Sequence, residues 1–254
     1  MPHNMTIHTL GVGDAYDGEH TNASVLVKQS NSTLLIDCGP TVPAALFREN
    51  ISCDELDAIY ITHAHPDHCL GLTTLLNWMD SKKRTHPIKI IAQREQQAIL
   101  EPLIKFAHWP VERLNYDIEW CDSETIQSFG PWDVQTAPTQ HAVSNLSLHL
   151  RSHCGYQLFY SGDGQLCNRS LELACQSDLV FVECETIESH ASHGSWTQLS
   201  EIKINSSSQW MLYHIDPVSR TLLSSLVSQR PEFQVVEEGD VFVVTKDWSK
   251  DHVA

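Results

Sequence analysis

Hydrophobic and polar positions along the first half of the chain form short apolar runs that alternate with amphipathic segments. The runs TIHTLG, SVLVKQ, TLLIDCG and LDAIYITH end at turn residues or at a polar cluster, which predicts strands. TVPAALFREN, with Thr41 as its cap, and LGLTTLLNWMD have the apolar spacing of helices. PIKIIAQ and REQQAILEPLIKFAHW predict a further strand and a helix that Pro102 is able to kink.

The second half of the chain repeats the same alternation. Strands are predicted at DVQTAP, NLSLHLRS, YQLFYSGD, DLVFVEC, QWMLYHI and FQVVEEGDVFVV. Helices are predicted at NRSLELAC, WTQLSEIKIN and PVSRTLLSSLVSQ. No low-complexity linker separates the halves, so we predict one domain over residues 1–254. Strands in both halves with helices between them favour an α/β fold, a four-layer αββα sandwich.

Composition and charge narrow the classes of partner. No run approaches the roughly 18 apolar residues of a membrane helix, and the N-terminus lacks the pattern of a signal peptide. We therefore expect a cytoplasmic protein without a membrane partner. The formal charge of −16 makes long nucleic acids poor partners. The run Lys82-Lys83-Arg84 is the one candidate basic patch, and we interpret it as a solvated loop.

The eight cysteines include no CxxC pair. Without an export signal, this spacing predicts reduced and mostly buried thiols. Cys69 lies beside the histidine cluster described next and is either an accessory ligand or, as free cysteines more often are, part of the core.

The stretch ITHAHPDHCLG places three histidines and an aspartate within six positions, where a predicted strand ends. His63 and His65 are two residues apart in a turn, so both imidazoles are able to bind one ion. Asp67 and His68 follow Pro66, which changes the chain direction and turns them to a neighbouring position. This ligand set predicts two divalent metal ions, with zinc favoured and manganese or iron as alternatives.

One cluster does not complete two coordination shells, because each zinc needs at least four ligands. The remaining candidates are His141 in APTQHAVSN, Asp163 in YSGDG and His214 in MLYHID. Asp163 lies between two glycines that allow close backbone approach, so its carboxylate could bridge both metals. His149 and His153 compete with His141, but they fall inside or after the following strand.

The ordered set HAHPDH, Gly71, a lone histidine, SGD and a late strand ending in histidine resembles the metallo-β-lactamase superfamily. The resemblance runs from about Leu10 to His214 and implies the same αββα fold. It implies that Asp37, in LLIDCG, supports the ligands from behind, and that the protein forms a homodimer. The implied ligands of one metal are His63, His65 and His141, those of the other are Asp67, His68 and His214, and Asp163 is shared.

The segment DLVFVECET…HASHGSW resembles the ribonuclease Z branch of that superfamily. This resemblance implies that His193 is a donor to the scissile phosphate or leaving group and that Glu183 orients it. We also expect Asp67 to be a catalytic residue. The sequence VECET departs from the His-Glu-Ala-Thr of the branch, so Glu185 remains an alternative to Glu183. A loop-capping role is the other interpretation of His193.

The long glycine-rich, basic arm by which ribonuclease Z enzymes grip transfer RNA has no counterpart here. Only 22 positions separate His141 from Asp163, and two predicted strands fill them. We therefore expect a metal-dependent hydrolase of a small phosphodiester, of a cyclic or dinucleotide type, that uses a hydroxide held between two metals. The alternatives are a thioester, lactone or carboxyl-ester hydrolase and a non-catalytic metal-binding effector. The complete ligand set favours an enzyme.

Overall fold

The computed structural model describes residues 4–244. The strands in the first half are β1 (Met5–Gly11), β2 (Ser24–Gln29), β3 (Ser32–Ile36), β4 (Ala58–Tyr60), β5 (Ile88–Ala92), β6 (Ile118–Asp122) and β7 (Ser128–Phe129). Those in the second half are β8 (Trp132–Gln140), β9 (Leu146–Ser152), β10 (Gln157–Tyr160), β11 (Gln165–Leu166), β12 (Leu179–Glu183), β13 (Gln209–Tyr213), β14 (Phe233–Val235) and β15 (Val241–Val244). The α-helices are α1 (Val42–Arg48), α2 (Pro66–Cys69), α3 (Gly71–Ser81), α4 (Gln97–Ala107), α5 (Asn168–Gln176), α6 (Trp196–Leu199) and α7 (Pro217–Val227).

Two mixed sheets form the centre of the fold. The first has the order β15-β1-β2-β3-β4-β5-β6, antiparallel up to β3 and parallel from β3 to β6. The second has the order β11-β8-β9-β10-β12-β13-β14, antiparallel up to β10 and parallel beyond it, and β7 pairs with β8. Helical connections join the parallel strands, as such pairings require.

Alternation along the strands produces three apolar layers. Val25 and Val27 of β2 face a core between the sheets, where they join Phe181 and other residues of the second sheet. Leu26, between them, joins the core that the first sheet shares with α1, α3 and α4. A third core, around Trp210, lies between the second sheet and α5, α6 and α7. These layers confirm the predicted αββα sandwich. No helix of residues 4–244 has the length and apolar character that crossing a bilayer requires.

The predicted helix WTQLSEIKIN is wrong beyond its first turn, because α6 ends at Leu199. Ile202 and Ile204 pack against the outer core of the second sheet instead of continuing the helix. The carbonyls of Ser200 and Ile202 accept hydrogen bonds from the Arg230 guanidinium instead of from a further helical turn. Strand β6 was not predicted, since its residues are mostly half-buried and its apolar signal is weak.

The basic run after α3 is only partly the solvated loop that we expected. Lys82 and Lys83 are exposed, but the Arg84 side chain is buried, with 1% of the residue exposed. Its guanidinium donates four hydrogen bonds of 2.5–2.8 Å to backbone carbonyls, namely those of Cys53, Leu56, His86 and Pro87. Arg84 therefore ties the end of α3 to the turn before β4 and to the start of β5.

Replacing Arg84 by alanine removes one buried hydrogen bond, to the Leu56 carbonyl, and three partly buried ones. We expect Arg84→Ala to lower the free energy of unfolding by about 3 kcal/mol, because unsatisfied buried polar groups cost about 1–3 kcal/mol each when water does not reach them. Urea denaturation would measure this. Lys82→Ala, at an exposed neighbouring position, is the control and should change stability by less than about 0.5 kcal/mol. Equal stabilities of the two variants would contradict the structural role of Arg84.

Candidate metal centre

The predicted ligands lie where strands of both sheets give way to loops. His63 follows β4 of the first sheet, and His65, Asp67 and His68 lie in the turn and short helix α2 just after it. The second sheet contributes three more, each beyond the end of a strand: His141 after β8, Asp163 after β10 and His214 after β13. Within the described residues, these side chains form two groups whose ligand atoms lie within 4.8 Å of one another.

The first group contains three imidazoles and one carboxylate. The Nδ1 atom of His65 lies 3.1 Å from Nε2 of His63 and 3.1 Å from Nε2 of His141. Oδ2 of Asp163 is 3.6 Å from His63 Nε2 and 3.9 Å from His141 Nε2. Four ligands around a zinc ion at about 2.0–2.1 Å are about 3.4 Å apart, so these atoms are spaced as one ion requires.

The second group shares Asp163 with the first through its other oxygen. Nε2 of His68 is 3.1 Å from Asp67 Oδ2 and 3.2 Å from Asp163 Oδ1. Nε2 of His214 is 3.2 Å from Asp67 Oδ2 and 3.6 Å from Asp163 Oδ1. One carboxylate oxygen thus faces each group, which is the arrangement of a residue that bridges two neighbouring cations.

The unpaired polar atoms of the site fit bound metal. His68 Nε2 and Asp163 Oδ1 are buried and 3.2 Å apart, yet neither has a hydrogen-bond partner among the described residues. Buried polar atoms without partners are rare in folded proteins. Imidazole nitrogens and carboxylate oxygens directed at a shared space supply the donor set that divalent transition metals prefer. The His/Asp cluster therefore fits a divalent metal centre.

Asp37, the residue after β3, fixes the second group through the nitrogen of His68 that faces away from it. Its Oδ2 accepts a hydrogen bond from Nδ1 of His68 at 2.8 Å, and its Oδ1 accepts one from the backbone N–H of Thr62 at 2.8 Å. Burial raises the pKa of Asp37, and the neighbouring His68 opposes that shift. Gly39 and Gly71 allow the loop after β3 to pack closely against α2 and the start of α3. A Cβ on Gly39 would lie 2.0 Å from the carbonyl oxygen of Asp67, and one on Gly71 would lie 2.1 Å from the carbonyl oxygen of Gly39.

Two histidines of the first group are oriented in the same way through their outer nitrogens. Nδ1 of His63 lies 3.1 Å from the Thr62 hydroxyl, and Nδ1 of His141 donates to the Ser192 carbonyl at 2.8 Å. Such outer bonds fix the tautomer and the ring direction of a metal-binding histidine. Thr62 and Ser192 were not predicted, because threonine and serine beside a motif carry no distinguishing sequence signal.

Asp163 occupies a turn that needs both of its flanking glycines. Gly162 has a φ of 64° and Gly164 a φ of 101°, conformations that side chains disfavour. Asn145 supports the turn, because its side-chain Nδ2 donates to the Ser161 carbonyl at 2.9 Å and its Oδ1 accepts from the backbone N–H of Asp163 at 3.3 Å. Sequence reasoning placed Asn145 only as the first residue of a strand and missed this role.

His193 lies at the edge of the two groups, between two carboxylates. Its Nδ1 is 2.7 Å from Oε1 of Glu183 and 3.3 Å from Oε2 of Glu185. Burial lowers the pKa of His193, but the hydrogen bond to Glu183 and both negative charges outweigh burial and raise it. The other oxygen of Glu183 accepts from the backbone N–H groups of Gly164 and Gly194 at 2.5 and 2.7 Å.

The two carboxylates therefore differ in how they act on His193. Glu183 is fully buried and held on both oxygens, so it is able to fix the ring direction. Glu185 is partly exposed, and burial raises its pKa to about 7 against the opposing effect of His193. The geometry favours Glu183 as the orienting partner and adds Glu185 as a second neighbouring charge.

A cavity of about 320 Å³ opens over the cluster. Its residues come from seven separate places along the chain: Asp14, Ala15, Tyr16, Pro40, His65, Pro66, Asp67, Asp163, Glu185, His193 and His214. Cys69 is absent from both ligand groups of the described residues and packs in the core of the first sheet. His149, in the middle of β9, and His153 also lie outside both groups.

A four-layer sandwich with a histidine and aspartate cluster at the ends of its strands defines a protein of the metallo-β-lactamase fold. Residues 5–242 match the sequence model of the family described as anti-Pycsar protein Apyc1. The chain belongs to that family. The anti-Pycsar protein Apyc1 of Paenibacillus harenae is 25% identical over 224 residues, which cover 85% of this chain and 92% of the relative.

Solved structures agree on the fold. The metallo-beta-lactamase fold protein YhfI from Bacillus subtilis superposes with a TM-score of 0.80 at 16% identity, covering 95% of this chain and all of that one. The short form of human tRNase Z superposes with a TM-score of 0.71 at 17% identity, covering 93% of this chain and 98% of that one. These likenesses confirm the αββα architecture that the sequence predicted.

Asp37→Asn tests the support of the second group. The substitution keeps the shape of the side chain but removes the negative charge beside His68, so we expect metal affinity to fall by about 10- to 100-fold. Competition with a chromophoric chelator would measure it. Asp133→Asn, at an exposed aspartate on β8, is the control. An unchanged affinity in the Asp37 variant would show that His68 needs no such partner.

Proposed function

We propose that this protein is a phosphodiesterase that holds two divalent metal ions, with zinc favoured, and hydrolyses a small phosphodiester of a cyclic or dinucleotide type. The observation that carries the proposal is Asp163, whose two oxygens face two separate ligand groups. Two bound ions at such a site activate water and stabilise charge on phosphoryl oxygens. The family name anti-Pycsar protein Apyc1 and the tRNase Z neighbour support a phosphodiester bond as the target.

The residues around the metal groups then have distinct roles. His193 lines the cavity, and Glu183 and Glu185 raise its pKa and so favour the protonated ring, which is able to donate a proton to the leaving oxygen. Glu183 positions the ring through its bond to Nδ1, which leaves Nε2 for the substrate. Asp67 lines the cavity floor, where one of its oxygens is shared between His68 and His214.

The size and charge of the molecule support a small substrate. The segment between His141 and Asp163 contains a tight β9–β10 hairpin, without an arm that could grip a long polynucleotide. A cavity of about 320 Å³ accommodates a single nucleotide-sized group, since ligand sites measure about 300–1,000 Å³. The formal charge of −16 also repels a long phosphate backbone.

The direct test is hydrolysis by the metal-loaded protein. We expect turnover of bis(p-nitrophenyl) phosphate and of 3′,5′-cyclic nucleotides, and its loss on removal of the metal by a chelator. His193→Ala should lower kcat by about 10²- to 10⁴-fold, the usual contribution of a general acid, with metal content unchanged. Inactivity on every phosphodiester beside rapid turnover of thioesters or lactones would support the second candidate, a thioester or lactone hydrolase, instead.

The pH profile tests the charges around His193. A proton donor works below its pKa and is lost as pH rises through that value, so the raised pKa of His193 extends activity toward alkaline pH. Glu185, with a pKa of about 7, is ionised on that alkaline side. Glu185→Gln removes its charge, lowers the pKa of His193 and should move the alkaline limb of kcat to lower pH while the maximal kcat is kept. A limb that stays in place would exclude this coupling.

A further inference from the structure

A third cluster of ligand atoms lies beside the two metal groups. Glu185, His190 and His193 each offer an atom that is able to bind an ion, and these atoms lie within 4.8 Å of one another. The ring centroids of His190 and His193 are 5.1 Å apart, and Oε2 of Glu185 is 3.3 Å from Nδ1 of His193. Two imidazoles and one carboxylate are a ligand set that holds zinc in proteins, with water in the fourth position.

Hydrogen bonds fix the loop that carries His190. The Gln165 side chain donates to the carbonyl of His190, and the next two carbonyls accept from Gln140 Nε2 at 2.9 Å and from His141 Nδ1 at 2.8 Å. These donors lie in β11, in β8 and directly after β8, so the second sheet holds the backbone of the loop. The ring of His190 is exposed, and a long hydrogen bond, 3.4 Å from the N–H of Ser192 to its Nδ1, leaves it available to an ion.

The charge around His193 favours a cation. Oxygens of Glu183 and Glu185 lie 2.7 and 3.3 Å from its Nδ1, so two carboxylates face one imidazole. Within residues 4–244, neither carboxylate forms an ion pair with a lysine or an arginine. When both carboxylates are ionised, their negative charge exceeds the positive charge of a protonated ring. A divalent ion beside them is therefore stabilised electrostatically.

We propose that Glu185, His190 and His193 form a third cation site, which takes zinc more weakly than the two ligand groups and inhibits the enzyme when it is filled. The site has three protein ligands, and one of them is exposed, which explains the weaker binding.

The inhibition rests on the proposed function, because it acts through the proton donor His193. Donation needs a ring with a hydrogen on both nitrogens, and an ion bound to either nitrogen replaces one of them. The displaced proton goes to solvent. A filled third site therefore keeps His193 in place but removes the proton that the leaving oxygen needs.

The stoichiometry of zinc binding tests the site without any substrate. Equilibrium dialysis against rising free zinc, followed by metal analysis, should show one weakly bound ion beyond those of the two ligand groups. His190→Ala should weaken this ion by about tenfold or more and keep the others, since even the loss of an outer partner of a ligand costs about 10- to 100-fold in metal affinity. His153→Ala, at an exposed histidine outside the ligand clusters of residues 4–244, is the matched control and should bind as the wild type does.

Hydrolysis of bis(p-nitrophenyl) phosphate over the same zinc range tests the inhibition. The rate should fall as the weak ion binds, and His190→Ala should move this fall to free zinc about tenfold or more higher. His190 does not line the cavity, so the variant should keep the kcat that the wild type has before the weak ion binds.

Two results would overturn the site: the absence of a weak ion from the wild type, or a weak ion that His190→Ala binds equally tightly. A weak ion that depends on His190 but leaves the rate unchanged would overturn its inhibitory role. If no phosphodiester is hydrolysed, the proposed function and the inhibition fail together, and dialysis alone still decides whether the third site exists.

Discussion

The structure depends most on one buried carboxylate. Asp163 is 2% exposed, and a carboxylate removed from water costs several kcal/mol unless positive charge or hydrogen bonds compensate it. Burial raises the pKa of Asp163, but the imidazoles of His214, His68 and His63 outweigh burial and hold it well below its ordinary value. The glycines of its turn and the side chain of Asn145 serve to place this charge between the two ligand groups.

The same electrostatic requirement explains why the histidines around Asp163 are not equivalent. Burial and neighbouring imidazoles lower the pKa of His63, which supplies the neutral ring that a metal binds. Burial also opposes the charged form of His68, but Asp163 and Asp37 outweigh burial and raise its pKa. Without metal, the second group thus keeps protons, and a cation entering it displaces them, so the affinity for metal increases with pH.

The sequence predicted most of the fold because its strands have strong apolar runs and its turns have glycine. HAHPDH, SGD and the late histidine keep a fixed order at strand ends, so the sequence predicted the residues that the structure brings together in two groups. What escaped prediction depends on tertiary contacts. Arg84 looked like part of a surface run until its backbone acceptors were visible, and Asn145 looked like an ordinary strand residue. Tyr16, which lines the cavity, lies in the loop between β1 and β2, and a single aromatic residue in a loop produces no hydrophobic periodicity from which its place could be predicted.

The distribution of ligands between the two halves of the chain has a mechanical consequence. His63, His65, Asp67 and His68 belong to the first half, while the other members of both groups belong to the second. A cation bound in either group is therefore a cross-link that closes a long loop of polypeptide and fastens one sheet to the other. Such a cross-link opposes separation of the two sheets at the edge that carries the site. Metal binding and the folding stability of the sandwich are therefore thermodynamically linked.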